Sequence, residues 1–566
     1  MLKSISRFFV EFPVLMFLLE TFSFIVGWHV TIWPFIISYL GLMGYEAAHI
    51  SSIKDRLTYA ICCIFLTFAC LLIMAFLYDT SYDGPWYHAA VIKEMTEGWN
   101  PFFQPILSID ETPYHIDCHI WMSHYAKGME TIQAGIVALT GNLESGKALN
   151  LFWLIALCGY IFTFLKQFLS GYKKWELVVL TSIVALNPVV LGQLLTYMID
   201  WTGYSLVIIG AICIYDYLAN EEKRNVFTLA LLAFFLPTVK FNIVFWWVIL
   251  LMGVVATIWW TYKKSSKQLI VVVALSMTLG FVIGGFNPYI TNMIHKGNPV
   301  YPLIGKDKID IMDIVTPKAI LGKNRFYQVN YSLMSNPYHN DKKGEEGFHC
   351  LSISKYNVMS SPLHDPQLGG FGLFFFEACM VLLILFMAVK KKDGKWKMMG
   401  AILIGLYLSL LILPSGFLAR YVPYFYVFPC LLLLFILKTH PKGWVKQLCL
   451  LPVCFLMLDV FINIAGVVML ETQLQNQVNY VVKEVAKASS SKKVYVNTAS
   501  CLHYDKMERA GALLKYGDDK ENIKSQIDML GVDIWTSLTP EDFSEKNYSW
   551  LMKKIPMFVP KIEEVK

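Results

Sequence analysis

Apolar residues along this chain gather into long, nearly uninterrupted runs, with little alternation and few polar faces. Such runs fall near 8–27, 29–44, 57–78, 147–166, 176–196, 200–218, 226–239, 243–262, 268–288, 370–389, 398–413, 418–437 and 449–470. Most are roughly 17–22 residues long, the length a helix needs to cross ~30 Å of hydrocarbon. None shows the ten-residue alternation of an outer-membrane barrel strand. The pattern predicts an all-α polytopic membrane protein with about 13 transmembrane helices. The start, "MLKSISRFFVEFPVLMFLLE", places Lys3 and Arg7 before an apolar run without a small-residue cleavage site. It reads as an uncleaved signal-anchor.

Composition agrees: 56% of the 566 residues are hydrophobic and 16% charged, with a mean hydropathy of +0.50. Soluble domains carry about 25% charged residues. Charge then sets sides. With the N-terminus in the cytoplasm, the inner connections are 1–7, 45–56, 166–175, 219–225, 263–267, 390–397 and 438–447, each with at least two Lys or Arg. Basic residues favour the inner face, so this orientation of the cell membrane protein is the expected one. The net charge of +6 reflects that asymmetry, and no nucleic-acid partner is inferred from it.

The expected organisation is N-terminal membrane helices (1–78), a first outer loop (79–146), membrane helices (147–288), a second outer loop (289–369), C-terminal membrane helices (370–470) and an outer tail (471–566). In the first loop, "YHAAVIKEM" and "METIQAGIVALTG" have helical apolar spacing and are expected along the membrane surface. The second opens with "NPYITNMIHKGNPVYPLIG", whose three prolines favour an extended path over a helix. In the tail, "KKVYVNTA" and "GVDIW" are strand candidates around a charged helical stretch, giving a small α/β appendage. Nine of the twelve cysteines lie in expected spans. Cys118, Cys350 and Cys501 face outward; a Cys118–Cys350 bridge is one option, but three such cysteines do not define a disulfide framework.

The first exit from the membrane, "YDTSYDGPWYH", carries Asp79 and Asp83. Two aspartates ending a span read either as solvated charges or as the opening of a site. The continuation "YDGPWYHAAVIKEMTEGWNPFF" adds aromatics, including Tyr87 beside His88, an amphipathic stretch and a "GWNP" turn. This combination resembles the first outer loop of the polytopic GT-C glycosyltransferases, such as the protein mannosyltransferase and lipid A aminoarabinose transferase families. Asp83 matches the motif aspartate, Tyr87 the aromatic and Gly98–Pro101 the turn, while Gly84 stands where those families have glutamate. The resemblance implies a sugar donor linked to polyprenyl phosphate. It also implies that Asp83 is the base for an acceptor hydroxyl, which needs a carboxylate within hydrogen-bond reach.

Other lone charges fit the same chemistry. Asp200 in "LLTYMIDWTGYS" reads as a second site acid or as a helix cap. Lys240 in "FFLPTVKFNIVFWW" reads as a phosphate contact or as a snorkelling lysine. Arg420 and Tyr421 in "SGFLARYVPYF" resemble the "RY…P" of late GT-C helices, and an arginine fork suits phosphate. His295 and Lys296 in "IHKGNP" are further candidates for the donor.

Rival chemistries were weighed against these. His115 and His119 are spaced to share a helix face, with Asp117, His124 and His88 nearby, but no further metal ligand is dictated. The sequence makes no cofactor certain; Mg²⁺ or Mn²⁺ bridging phosphate and Asp83 is the candidate ion. "GNLESGKA" nearly matches a P-loop, but Ala148 removes the magnesium-binding hydroxyl. Glu11, Glu20, Glu377 and Asp459 are scattered through the spans, without the paired broken helices of a transporter. The expectation is a glycosyltransferase that uses a lipid-linked donor and a glycan, lipid or protein acceptor. A polymerase or ligase with a lipid-pyrophosphate donor, or a lipid-linked sugar transporter, are the alternatives.

Overall fold

The computed structural model describes residues 1–109, 113–262, 267–309, 315–337, 358–359, 361–389, 394–490, 493–516, 520–529 and 532–565. Helices dominate. Seven are long and apolar enough to cross a membrane: Leu2–Ile25, Ile53–Phe76, Leu143–Phe168, Asp200–Asn220, Lys267–Gly284, Gly394–Ile412 and Trp444–Ala488. The pair Lys174–Ala185 and Pro188–Leu195, bent by 64°, makes an eighth if counted as one span. Asn187 builds the bend: its side chain accepts from Val189 N at 3.0 Å and opens the second helix. Pro188, at the first helical position, needs no partner for a backbone N–H it lacks. The apolar helices Asn225–Val239, Phe241–Ala256, Phe375–Ala388 and Pro423–Thr439 are shorter. Of the thirteen expected spans, the described residues thus give seven or eight of full length.

The first helix lies inside the bundle. Phe8, Phe9 and Phe12 are fully buried and pack edge-on or tilted against Tyr39, Tyr59 and Phe152. The helix Ile53–Phe76 instead leaves Ile61, Phe65, Phe68, Leu72 and Phe76 exposed, a stripe suited to lipid. At the lysine-rich end of the bundle, Arg224 pairs with Glu11 (2.5 Å) and Glu46 (3.0 Å), and Lys3 with Glu222 (2.9 Å). Glu11 is therefore a structural partner. Asp459 is another: it accepts from Phe374 N at 3.0 Å and so caps the helix Phe375–Ala388 from a neighbouring helix.

The opposite end carries the longer connections and the tail. The amphipathic stretches of the first loop do form helices, Ala89–Thr96 and Gly128–Thr140. Every residue of 128–137 is buried within the protein. A further helix, Pro113–His124, precedes it. In the second loop the expected extended path is interrupted: a helix, Thr291–Lys296, forms before Gly297 stops it with φ +64°. Cys118 and Cys501 are both buried, while Cys350 lies outside the described residues.

The tail is a five-stranded sheet of β1 (Val494–Thr498), β2 (Leu514–Lys515), β3 (Ser525–Met529), β4 (Val532–Thr536) and β5 (Lys561–Glu564). Its order is β2-β1-β4-β3-β5, with β1 and β2 parallel and the other pairs antiparallel. The helix Cys501–Arg509 packs against the first loop. Lys506 reaches Glu144 at 3.2 Å and lies 3.6 Å over the Tyr78 ring.

Candidate functional site

Arg420 sits in one 3₁₀ turn, Ala419–Tyr421, between two apolar helices. Its guanidinium meets three carboxylates from three segments. Nη2 reaches Asp83 at 2.5 Å, Nε reaches Asp200 at 2.8 Å and Nη1 reaches Asp365 at 3.2 Å. Lys240 Nζ lies 2.6 Å from the other oxygen of Asp200. Asp83, Asp200, Lys240 and Arg420 thus converge. Among the described residues, three carboxylates face these two cations.

Access is graded. The Asp200 side chain is 0% exposed, Arg420 10%, Asp83 22% and Asp365 32%. The cluster is sealed behind Asp200 and opens past Asp83 and Asp365.

Each charge is placed by a break in regular structure. Lys240 is a single extended residue (φ −162°, ψ 140°) between the helices Asn225–Val239 and Phe241–Tyr262. Pro237, just before it, supplies no backbone N–H to the helix. Asp200 starts the helix Asp200–Asn220, where a negative charge suits the dipole. Ile199 takes the cap position, and the Asp200 carboxylate instead accepts from Lys240, Arg420 and, at 3.2 Å, Gln193. Thr80 and His364 share a hydrogen bond of 2.9 Å, which fastens the first loop to the strand of chain bearing Asp365.

Asp79 belongs to the frame of the site. Its carboxylate accepts from Ser81 N (2.8 Å), Ser81 Oγ (2.6 Å) and Tyr197 N (2.6 Å), and so ties the first loop to the turn before Asp200. This contact explains Gly84. A Cβ there would lie 2.1 Å from Asp79 Oδ2 and 2.5 Å from Ser81 Oγ, so the glutamate of the GT-C pattern does not fit.

The two aspartates differ in acidity. Burial pushes the Asp79 carboxyl up to about 6, against the opposing pull of Lys147 and its hydrogen bonds. Burial would also raise Asp83. There the Arg420 charge and hydrogen bond, with smaller help from His88 and Lys240, outweigh it and hold the carboxyl below its ordinary range.

Aromatic side chains flank these charges. Lys240 lies 4.9 Å and Arg420 5.8 Å from the centre of the Tyr421 ring. Tyr87 packs on His88 at 4.1 Å and edge-on to Tyr125 at 6.1 Å. His88 is buried and held by Glu130 at 2.5 Å. His295 and Lys296 are exposed, and Lys296 lies over Tyr301 at 5.1 Å; no described contact joins either to the cluster.

Sequence reading missed Asp365, Gln193 and Tyr125. The histidines considered for metal are dispersed: His115 pairs with Glu94 at 2.8 Å, and His124 meets Asn292 at 2.7 Å. The Asp117 side chain lies outside the described set. Among the described residues no three His, Cys, Asp or Glu side chains are grouped to hold a metal ion. In the P-loop-like segment, Lys147 is fully buried and bonded to Glu144 (2.7 Å) and Leu77 O (2.7 Å). That lysine is spent within the fold. Comparison with family models, curated proteins and solved structures gives no match.

Proposed function

We propose that this chain is a GT-C-like membrane glycosyltransferase moving a sugar from a polyprenyl-phosphate donor to an acceptor on the outer face of the cell membrane. The observation that carries the reading is the meeting of Asp83, Arg420 and Lys240 in one partly open cluster. A base and two phosphate-binding cations are what such a transfer needs. The shorter apolar helices and Trp33–Ala48 complete about thirteen crossings in this reading.

The donor phosphate takes the Arg420 Nη groups in place of Asp83 and Asp365 and shares Lys240 with Asp200, which stays on Arg420 Nε. Asp83, released from Nη2, becomes more basic as its cationic partner is taken up. It accepts the proton of the acceptor hydroxyl as the new bond to the anomeric carbon forms. The bond from that carbon to the phosphate oxygen breaks, and polyprenyl phosphate leaves as an anion, unprotonated and stabilised by the two cations. One displacement inverts the anomeric centre. Asp200 touches both cations and is the positioning residue.

Transport is less well supported, because the charges at the two ends of the bundle pair within their own ends. The test is incubation of the purified protein in nanodiscs with labelled polyprenyl-phosphate sugar and host membrane extract. Label should move to the acceptor and free polyprenyl phosphate should appear. Consumption of only a pyrophosphate-linked donor would instead identify a polymerase or ligase. The orientation has its own test. A reporter active only in the cytoplasm, fused after Lys566, should be silent, and activity there would reverse the sides and remove the site from the outer face.

A further inference from the structure

The helix Trp444–Ala488 leaves the apolar bundle and becomes the stem of the tail. Its exposed Phe461, Ile464 and Val468 give way to Glu471 and Gln473, both buried against protein. Gln475 Nε2 donates to Phe76 O at 2.6 Å. Phe76 ends the helix whose exposed aromatic and aliphatic stripe faces outward, so this bond marks the edge of the apolar band.

One and two residues further along, the stem holds the segment 549–559. Ser549 Oγ donates to Asn476 Oδ1 at 2.7 Å, and Gln477 Nε2 reaches Met557 O and Val559 O at 3.4 Å. Between these ties Met552 and Phe558 are buried. Trp550 is 71% exposed, and Lys553, Lys554, Ile555, Pro556 and Met557 are all exposed. An exposed tryptophan and aliphatics beside paired lysines are suited to a lipid headgroup layer, where rings sit at the interface and lysines meet phosphates. Leu513, also exposed, is tied through its N–H to Ser489 Oγ, thirteen residues beyond Asn476 and about 20 Å further along the helix axis.

We propose that Trp550–Met557 is a docking surface for the headgroups of an anionic leaflet, with Trp550, Ile555 and Met557 entering the interface and Lys553 and Lys554 on lipid phosphates. The experiment places a benzophenone amino acid at position 550 or 513 of the full-length protein, reconstituted in nanodiscs and irradiated. With phosphatidylglycerol present, lipid adducts are expected at 550 and not at 513. They should fall several-fold in pure phosphatidylcholine, or in the Lys553→Glu, Lys554→Glu variant. Adducts to a second copy of the chain at 550, no adducts there, equal labelling at 513, or labelling indifferent to lipid charge would each overturn the proposal.

Discussion

Asparagine at position 83 is expected to lower sugar transfer by roughly 10²–10⁴, the usual worth of a general base, with donor binding retained. The substitution keeps shape and a hydrogen-bond acceptor while removing the group that takes the proton. It also leaves Asp200 and Asp365 on Arg420, and Asp200 on Lys240, so the cations stay held. The acid side of the pH profile gives a second readout. The carboxyl of Asp83 at rest lies below its ordinary range, so kcat/KM, which reports the free enzyme, should hold down to about pH 4. In the complex, with Arg420 on the donor, the acid limb of kcat should move to higher pH. The stability linkage has the matching sign. A depressed carboxyl stabilises the fold fully above its unfolded value near about 4, and that contribution is lost as pH falls through the folded value. Asp79→Asn should cost far less transfer, since Asp79 acts through Ser81 and Tyr197 N. Near-normal transfer by Asp83→Asn together with loss in Asp79→Asn would assign the base to the wrong aspartate. Near-normal transfer in both would remove the loop from the site.

Much of the cluster was legible because each member is a lone charge at the end of an apolar run, where an unpartnered ion is costly. Asp200, Lys240 and Arg420 stand out for that reason. Their mutual pairing could not be read, since Asp83 and Arg420 are 337 residues apart and no local pattern links them. Asp365 had no signal at all. It follows "SSPLH", a polar, proline-bearing stretch without periodicity, and contacts distant in sequence, Thr80–His364, Gln193–His364 O and Asn463–Ser361 among them, bring it into place. Strands β1, "VYVNT", and β4, "VDIWT", carry β-branched and aromatic residues that mark a strand, whereas β5, "KIEE", has three of its four residues exposed. The helix Gly128–Thr140 shows a different limit. Amphipathic spacing shows that a face must be covered but not by what; here Ala89–Thr96, the turn Leu143–Lys147 and the first helix pack against it.

Removing the Arg420 fork should separate donor binding from the chemistry. Alanine is the wrong substitution for this purpose. It would take the partner from three carboxylates at once, and breaking even one buried pair costs about 3–5 kcal/mol. Arg420→Lys keeps the charge but replaces a planar fork bonded to three carboxylates with one ammonium. A lysine cannot hold Asp83, Asp200 and Asp365 together, nor present parallel donors to a phosphate. Donor affinity should drop more than ten-fold, because a hydrogen bond to a charged group is worth roughly 1.5–3 kcal/mol and ten-fold is about 1.4 kcal/mol. Lys240→Met, which keeps the aliphatic body beside the Tyr421 ring, should weaken the donor by a similar order. Measuring binding of labelled polyprenyl-phosphate sugar in nanodiscs, with thermal unfolding as the check on folding, tests both. A folded Arg420→Lys, Lys240→Met double variant with unchanged donor affinity would end the phosphate role of the cluster, whatever Asp83 does.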